Sequence, residues 1–351
     1  MTTHPWIKAC LQATGAQGSA IVRFLSSTGR YNITAFTRSA SSSHSVELAS
    51  LPNVKLAISN APTGYDTQAF LSAASDSDYV LVNTDGFAMG EQAETYWGTR
   101  LFGLSVRAGV KHFVYSGLDS VGPKSNYDPD LYTGHYQGKA RVQDWMHGQK
   151  NINMRWTITR SGPYMELLSA VLAPAQGEDG SLTFQLPLDD GAIPFIHLDD
   201  FGKYVDWALT NPNESSSLDF GIATTQASGA QIAKAAEKVS GKPSQFVNVP
   251  IEAWNSAAWR YLPNGGDTKI GFQSVTDQNV LLMTYAENFT HWLNLYKASP
   301  NTNKGLIQRD FVFMDRIIPD RVKSVEEWMR EVGYTGEKQA LLKLDATSGQ
   351  V

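Results

Sequence analysis

His135 and Lys139 stand four residues apart in the stretch GHYQGKARVQDWM. On a helix that spacing puts an imidazole and an ammonium on one face. The pair suits acid–base chemistry, because a histidine titrates near neutral pH and a lysine supplies a positive charge. Ser116, in the run KHFVYSG, adds a hydroxyl if its strand ends beside that helix; Tyr115 is the alternative from the same strand. Ser116, His135 and Lys139 therefore form the candidate catalytic set. A plainer reading stays open, in which Lys139 only binds a ribose and His135 is structural. Tyr132 and Tyr164 are further sources of a hydroxyl. Tyr136 lies about 100° round the helix from His135 and does not substitute for it directly.

A second pattern supplies a partner for such chemistry. The stretch LQATGAQGSAIVRFL spans residues 11–25 and resembles a G-x-x-G-x-x-G phosphate-binding turn. In such a turn the first glycine eases the bend, the second lets the backbone approach a pyrophosphate, and the third packs the helix on the sheet. Gly15 and Gly18 take the second and third roles, and Gln12 takes the first. A side chain there costs on the order of 1 kcal/mol if the backbone is strained. The helix N-terminus that follows offers amides and a positive dipole end to phosphate. Arg38, after the second strand, suits a 2′-phosphate, so NADP is favoured over NAD.

These residues need a scaffold, and the chain spells one. Short apolar runs alternate with helical patterns through the first 160 or so residues. Strands are expected over residues 6–12, 31–38, 53–59, 78–84, 111–117 and 156–162. Helices are expected over 19–28, 66–75 with Asp66 as N-cap, 91–108, and 136–148 ending at Gly148. That alternation predicts an α/β fold, a Rossmann-type doubly wound parallel sheet with helices on both faces. Residues 1–162 are expected to form the NAD(P)-binding domain. Residues 163–351 are expected to form a smaller α+β substrate-binding region that completes the sheet and has a helical C-terminus. Within it, strands are expected at 181–188, 192–198 and 246–250, and helices at 199–211 and 228–242. The serine cluster at residues 39–45 reads as a loop.

Composition narrows the classes. A net charge of −5 and the absence of like-charge runs argue against nucleic-acid binding through bulk charge. Cys10 is the sole cysteine, so no intramolecular disulfide can form, which suits a reducing compartment. No signal-peptide pattern or membrane-length apolar run is evident, so a soluble cytoplasmic protein is expected. The histidines show no metal spacing, so no metal is expected. His197 in FIHLDD reads as a packed or capping residue. The tryptophans at 254, 259, 292 and 328 read mainly as core, with the option of lining an apolar pocket.

Several blocks in order, ATGAQGSAIVRFL, AFTRS, RAGVKHFVYSGLDSVG, GHYQGKARVQDWM, TITRSGPYME, PFIHLDDFGKYVDWAL and SGKPSQFVNVPIEAW, make the chain resemble the NmrA-like family of atypical short-chain dehydrogenases. The resemblance runs from Lys8 to about Trp254. It implies NADP contacts from Thr14, Gly15, Ala16, Gln17, Gly18 and Ser19, from Arg38, from Thr84, Asp85 and Phe87, from Lys139, and from Pro163, Tyr164 and Met165. Short-chain dehydrogenases pair a tyrosine with the lysine; here His135 occupies the tyrosine position. Thr99 stands where many relatives carry a lysine. Gln12 and Thr99 are both expected to weaken cofactor binding. The family spans reductases acting on hydrophobic small molecules, some in secondary metabolism, and NADP-sensing regulators with protein partners. The departures also leave room for a non-redox isomerase or cyclase.

Overall fold

A computed structural model of the chain describes residues 6–339, leaving out residues 11–12, 60, 62, 261, 263, 272–280 and 303–304 and the side chains of residues 6–10. In chain order, β1 (Trp6–Cys10), α1 (Ala16–Ser27), β2 (Asn32–Thr37), α2 (Ser43–Ala49), β3 (Val54–Ile58), α3 (Thr67–Ser75) and β4 (Tyr79–Val82) form the first half of the sheet unit. Then come α4 (Gly86–Ala108), β5 (His112–Gly117), α5 (Gly134–His147) and β6 (Arg155–Arg160). The remainder holds β7 (Ala175–Gln176), β8 (Leu182–Leu186), β9 (Ala192–Phe195), α6 (Leu198–Thr210), α7 (Pro212–Ser215), β10 (Leu218–Gly221) and β11 (Thr225–Ser228). The chain continues through α8 (Gly229–Ser240), β12 (Ser244–Asn248), α9 (Ile251–Ala258), α10 (Tyr285–Lys297), α11 (Phe311–Ile317) and α12 (Val325–Glu331).

The main sheet has seven strands in the order β10-β6-β5-β4-β1-β2-β3, and every pairing in it is parallel. The order reverses beside β1, so a crevice opens between the carboxyl ends of β1 and β4, where doubly wound sheets hold ligands. Side chains alternate across the strands. Leu81 and Val114 join a core with α1, α6 and α11, while Val80, Val82, Phe113 and Tyr115 join another with α3, α4 and α5. Alternation with apolar residues on both faces is what a buried parallel strand requires. The two-stranded β11-β9 ribbon and the three-stranded β12-β8-β7 sheet lie outside this unit, and a third core brings β8, β9, α8, α10 and α12 together. At the α1–α6 crossing, a side chain at Gly202 would overlap Phe24, so only glycine allows that approach.

Several elements differ from the sequence expectations. The serine cluster is not all loop: Ser42 accepts the Ser45 amide and caps α2. The helix expected to begin at residue 91 starts one turn earlier, on the Asp85 cap, and breaks at Gly90 (φ 76°). That left-handed glycine brings the backbone against Gly271, and the Gly271 amide donates to the Phe87 carbonyl at 2.9 Å. β10 had no strand signal in the sequence, yet it completes the sheet beside β6.

Candidate active site

α1 begins on Gly15, whose backbone is extended (φ −79°, ψ 166°) and which brings no capping side chain. No acidic residue occupies the first turn. The first-turn amides therefore present their partial positive charge without side-chain compensation. Thr14, Gly15 and Ala16 are half-buried at this turn. Ser19 turns inward and donates to the Ala16 carbonyl at 3.2 Å. Gly18 is buried within the first turn. Gln12 lies outside the described residues.

Gln17 points away from the turn and across the sheet edge. Its amide donates to the Ser116 hydroxyl at 2.7 Å, and its carbonyl accepts from the Tyr164 hydroxyl at 3.2 Å. The turn after β1, the end of β5 and the segment after β6 thus meet through three side chains. Burial pushes the Tyr164 phenol well above its ordinary range, with the nearby Glu166 carboxylate adding to it. The segment is held in place by Ile196, just after β9: Met165 donates to the Ile196 carbonyl and Ile196 donates to the Pro163 carbonyl, both at 2.9 Å. A side chain at Gly162 would strike the Pro194 carbonyl, which explains a glycine just before that contact. Met165 itself is fully buried in the third core.

Lys139 lies on the inward face of α5 and is buried. Its ammonium donates to the Thr84 carbonyl (2.9 Å), the Thr84 hydroxyl (3.1 Å) and Asn83 Oδ1 (3.3 Å) at the end of β4. It also pairs with Glu94 of α4 at 3.1 Å. Glu94 is fully buried and accepts from the Thr84 hydroxyl at 2.8 Å. Burial raises its carboxyl above the usual range, against the pull of Lys139 and Thr84. Tyr115 packs below this cluster, with its ring 5.6 Å from the ammonium and its own proton held far above the normal range by burial.

His135 also faces inward, one helical turn before Lys139. Its ring stacks near Phe87 (4.6 Å) and Phe289 (5.6 Å), and Tyr285 continues the stack beyond Phe87 (5.9 Å). Asn288 of α10 places its amide nitrogen 2.8 Å from His135 Nδ1. Burial, with the Lys139 charge adding to it, pulls the imidazole down to about 4. His135 is therefore neutral at physiological pH.

The other residues singled out in the sequence have definite places. Arg38 is exposed just past β2. Asp85 caps α4 by accepting the Ala88 amide at 3.1 Å. The Thr99 hydroxyl turns back onto its own helix, toward the Thr95 and Tyr96 carbonyls. Tyr132 donates to Glu91, which also pairs with Arg141. His197 occupies the N-cap position of α6, but the capping bond comes from Glu166, which accepts both the His197 ring (2.7 Å) and the Leu198 amide (3.1 Å). Trp254, Trp259, Trp292 and Trp328 are all buried. Among the described residues, no group of three or more His, Cys, Asp or Glu side chains could hold a metal ion, and no helix is long and apolar enough to cross a membrane.

The structure thus gathers Gln17, Ser116 and Tyr164 in one group, Thr84 and Lys139 in a second, and Phe87 and His135 in a third. Glu94, Asn83, Asn288 and Phe289 were missed in the sequence. For Glu94 a signal existed: Gly90, Glu94 and Gly98 recur at four-residue spacing, so the acid lies on the small, packed face of its helix. For Asn288 there was none, because it reaches His135 across 153 residues.

The sheet order, the crevice at its reversal and the glycine turn define a Rossmann-type α/β protein. Residues 9–277 match the NmrA-like family, and the chain belongs to it. An NmrA-like family domain-containing oxidoreductase of Aspergillus hancockii is 25% identical over 280 residues, covering 74% of this chain and 79% of that one. An NAD(P)H azoreductase of Xenophilus azovorans is 31% identical over 146 residues, 41% of this chain and 46% of that one. The crystal structure of NmrA, a negative transcriptional regulator, in complex with NADP has a TM-score of 0.71 at 19% identity, covering 94% of this chain and 96% of that one.

Proposed function

We propose that this protein is an NADP(H)-dependent oxidoreductase acting on a hydrophobic, aromatic small molecule. The observation that carries the reading is the grouping at one sheet edge of an uncapped helix N-terminus, a buried lysine and an aromatic wall. The residues suit a dinucleotide. The first turn of α1, free of acidic side chains, suits a pyrophosphate, with Thr14 to Ser19 around it. Arg38 suits a 2′-phosphate. Lys139 suits ribose hydroxyls, and Pro163 and Tyr164 flank the neighbouring strand end. When bound, NADPH supplies a hydride.

The chain's own groups divide the remaining work. Lys139 supplies ammonium hydrogen-bond donors beside the end of β4. Ser116, fixed by the Gln17 amide, keeps its own O–H available to a substrate oxygen. His135 works as a neutral hydrogen-bonding group, since its imidazolium does not form near pH 7. Phe87, Phe289 and Tyr285 supply flat apolar surface to an aromatic substrate. The relatives' descriptions as oxidoreductases support the reading, as does the NADP in the NmrA complex.

Calorimetry with NADPH, followed by absorbance at the nicotinamide band with a panel of aromatic carbonyls and quinones, tests it. Binding with turnover is expected. No binding at millimolar NADPH overturns it.

One observation favours a second reading, a cofactor-binding regulator with a protein partner. Lys139 already satisfies its N–H groups with Asn83, Thr84 and Glu94. NADPH binding without turnover, together with NADP-dependent capture of a specific partner, would establish it. A non-redox isomerase or cyclase would show turnover with no nucleotide present.

A further inference from the structure

We propose that Glu94 is the positioning residue that holds Lys139 at the cofactor site. The inference rests on the NADP(H) reading and adds a residue that nothing in the glycine turn or the lysine spacing assigns. The cluster around Lys139 contains two uncharged polar partners, Asn83 and Thr84, and one carboxyl group, Glu94. Glu94 adds an ion-pair contact to the ammonium that Asn83 and Thr84 cannot supply. Its Oε1 contacts the ammonium at 3.1 Å and the Thr84 hydroxyl at 2.8 Å, so carboxylate, hydroxyl and ammonium form a closed triangle.

The surroundings are built for this carboxylate. A side chain at Gly86 would overlap Glu94 Oε2, and one at Gly138 would come within 2.7 Å of the same atom. Two glycines on two helices therefore leave the room it fills. Among the described residues, Oε2 is buried without a hydrogen-bond partner.

The test compares two ligands in the full-length protein. NADPH carries the nicotinamide ribose, and adenosine 2′,5′-bisphosphate lacks it. For Glu94→Gln, NADPH affinity is expected to fall roughly tenfold or more, the loss of a charge-assisted contact, while the bisphosphate binds as it does to the unaltered protein. Lys139→Met should show the same split. If Glu94→Gln does not fold, Glu94→Asp keeps the charge but withdraws it, and a smaller loss confined to NADPH is expected. Equal loss for both ligands would mean a structural role and overturn the proposal. So would unchanged or tighter NADPH binding, which would make Glu94 idle or a competitor for Lys139. If the unaltered protein binds the bisphosphate but gains nothing from NADPH, the inference alone fails; if it binds neither, the NADP(H) reading fails with it.

Discussion

Gln17 donates its side-chain amide to the Ser116 hydroxyl across 2.7 Å, and both residues are buried. The bond ties the first turn of α1 to the end of β5, two elements separated by 99 positions in sequence. The Tyr164 hydroxyl completes the contact from the far side of Gln17. Changing Gln17 to leucine leaves two hydroxyls without their partner in a nearly dry setting. The expected loss is on the order of 1–3 kcal/mol in folding stability. A double-mutant cycle with Ser116→Ala isolates the pair, and a coupling of about 1 kcal/mol is expected from urea titrations. Strict additivity would show that the bond contributes nothing.

Arg38 decides between the two nicotinamide nucleotides if the 2′-phosphate lies beyond β2. It is exposed and sits directly after Thr37, the last residue of that strand. An exposed guanidinium–phosphate contact is partly screened, so the loss in Arg38→Ala should be about tenfold for NADPH. NADH affinity should stay within about twofold, because NADH has no group for Arg38 to hold. Calorimetry with both nucleotides checks this. A parallel loss for both would remove Arg38 from cofactor selection.

Acidification should unfold the protein through two buried histidines. Burial pulls His135 and His112 each down to about 4, with help from Lys139 and Arg155 respectively. In the unfolded chain both return to about 6.5. Between those values the unfolded state holds more protons, so stability rises with pH and is lost as pH falls through the window. His197 has the opposite sign. Burial pushes it down, but Glu166, Asp199 and Asp200 outweigh that and hold it above its usual value. Its contribution is present below about pH 6.5 and fades as pH rises through its folded value. His197 acts above that window, so within it the two buried histidines predict a falling melting temperature from about pH 6.5 to about pH 4.5. The His135→Gln variant should fall less steeply. A flat profile would contradict the buried, neutral state of these rings.

Much of this architecture is legible in the residues, for physical reasons that can be named. The run VLV in β4 reads as a strand because both faces of a parallel strand are buried. Asp66 reads as a cap, and it accepts the Gln68 and Ala69 amides. Ser116, Lys139 and His135 stand out by type and spacing, and all three are buried, but each lies in a different group of partners. What stayed hidden depends on contacts distant in sequence. β10 is a short LDFG segment that becomes a strand only because β6 offers it an edge. Gly86 and Gly90 argue for a loop, yet Asp85 caps a helical turn there and the Gly271 backbone fills the space that a side chain would need. Asn288 fixes His135 from another helix altogether.

Arg309 illustrates such a distant contact and allows a stringent test. Its side chain is fully buried and grips Asp119 with both ends of the guanidinium, at 3.0 and 2.7 Å. The same group donates to the Ser161 and Ile222 carbonyls, each at 3.2 Å. Asp119, Ser161 and Ile222 follow β5, β6 and β10, so one side chain stitches three neighbouring strand ends on the edge that carries Ser116. Glycine at 221 makes way for the Arg309 stem, since a side chain there would approach Cδ to 2.9 Å. Arg309→Met would leave Asp119 with Arg160 as its remaining cation, at 3.0 Å. Breaking a buried pair from one side costs about 3–5 kcal/mol, and the surviving partner should hold the loss near the lower figure. The denaturation midpoint should therefore drop with little change in m-value. The Asp119→Asn variant should cost more, because it takes the carboxylate from the buried Arg309 and one of two carboxylates from Arg160, which keeps Asp219 at 2.5 Å. If the Asp119 variant proves the milder of the two, the strand ends are held by the arginine's backbone contacts rather than by the ion pair.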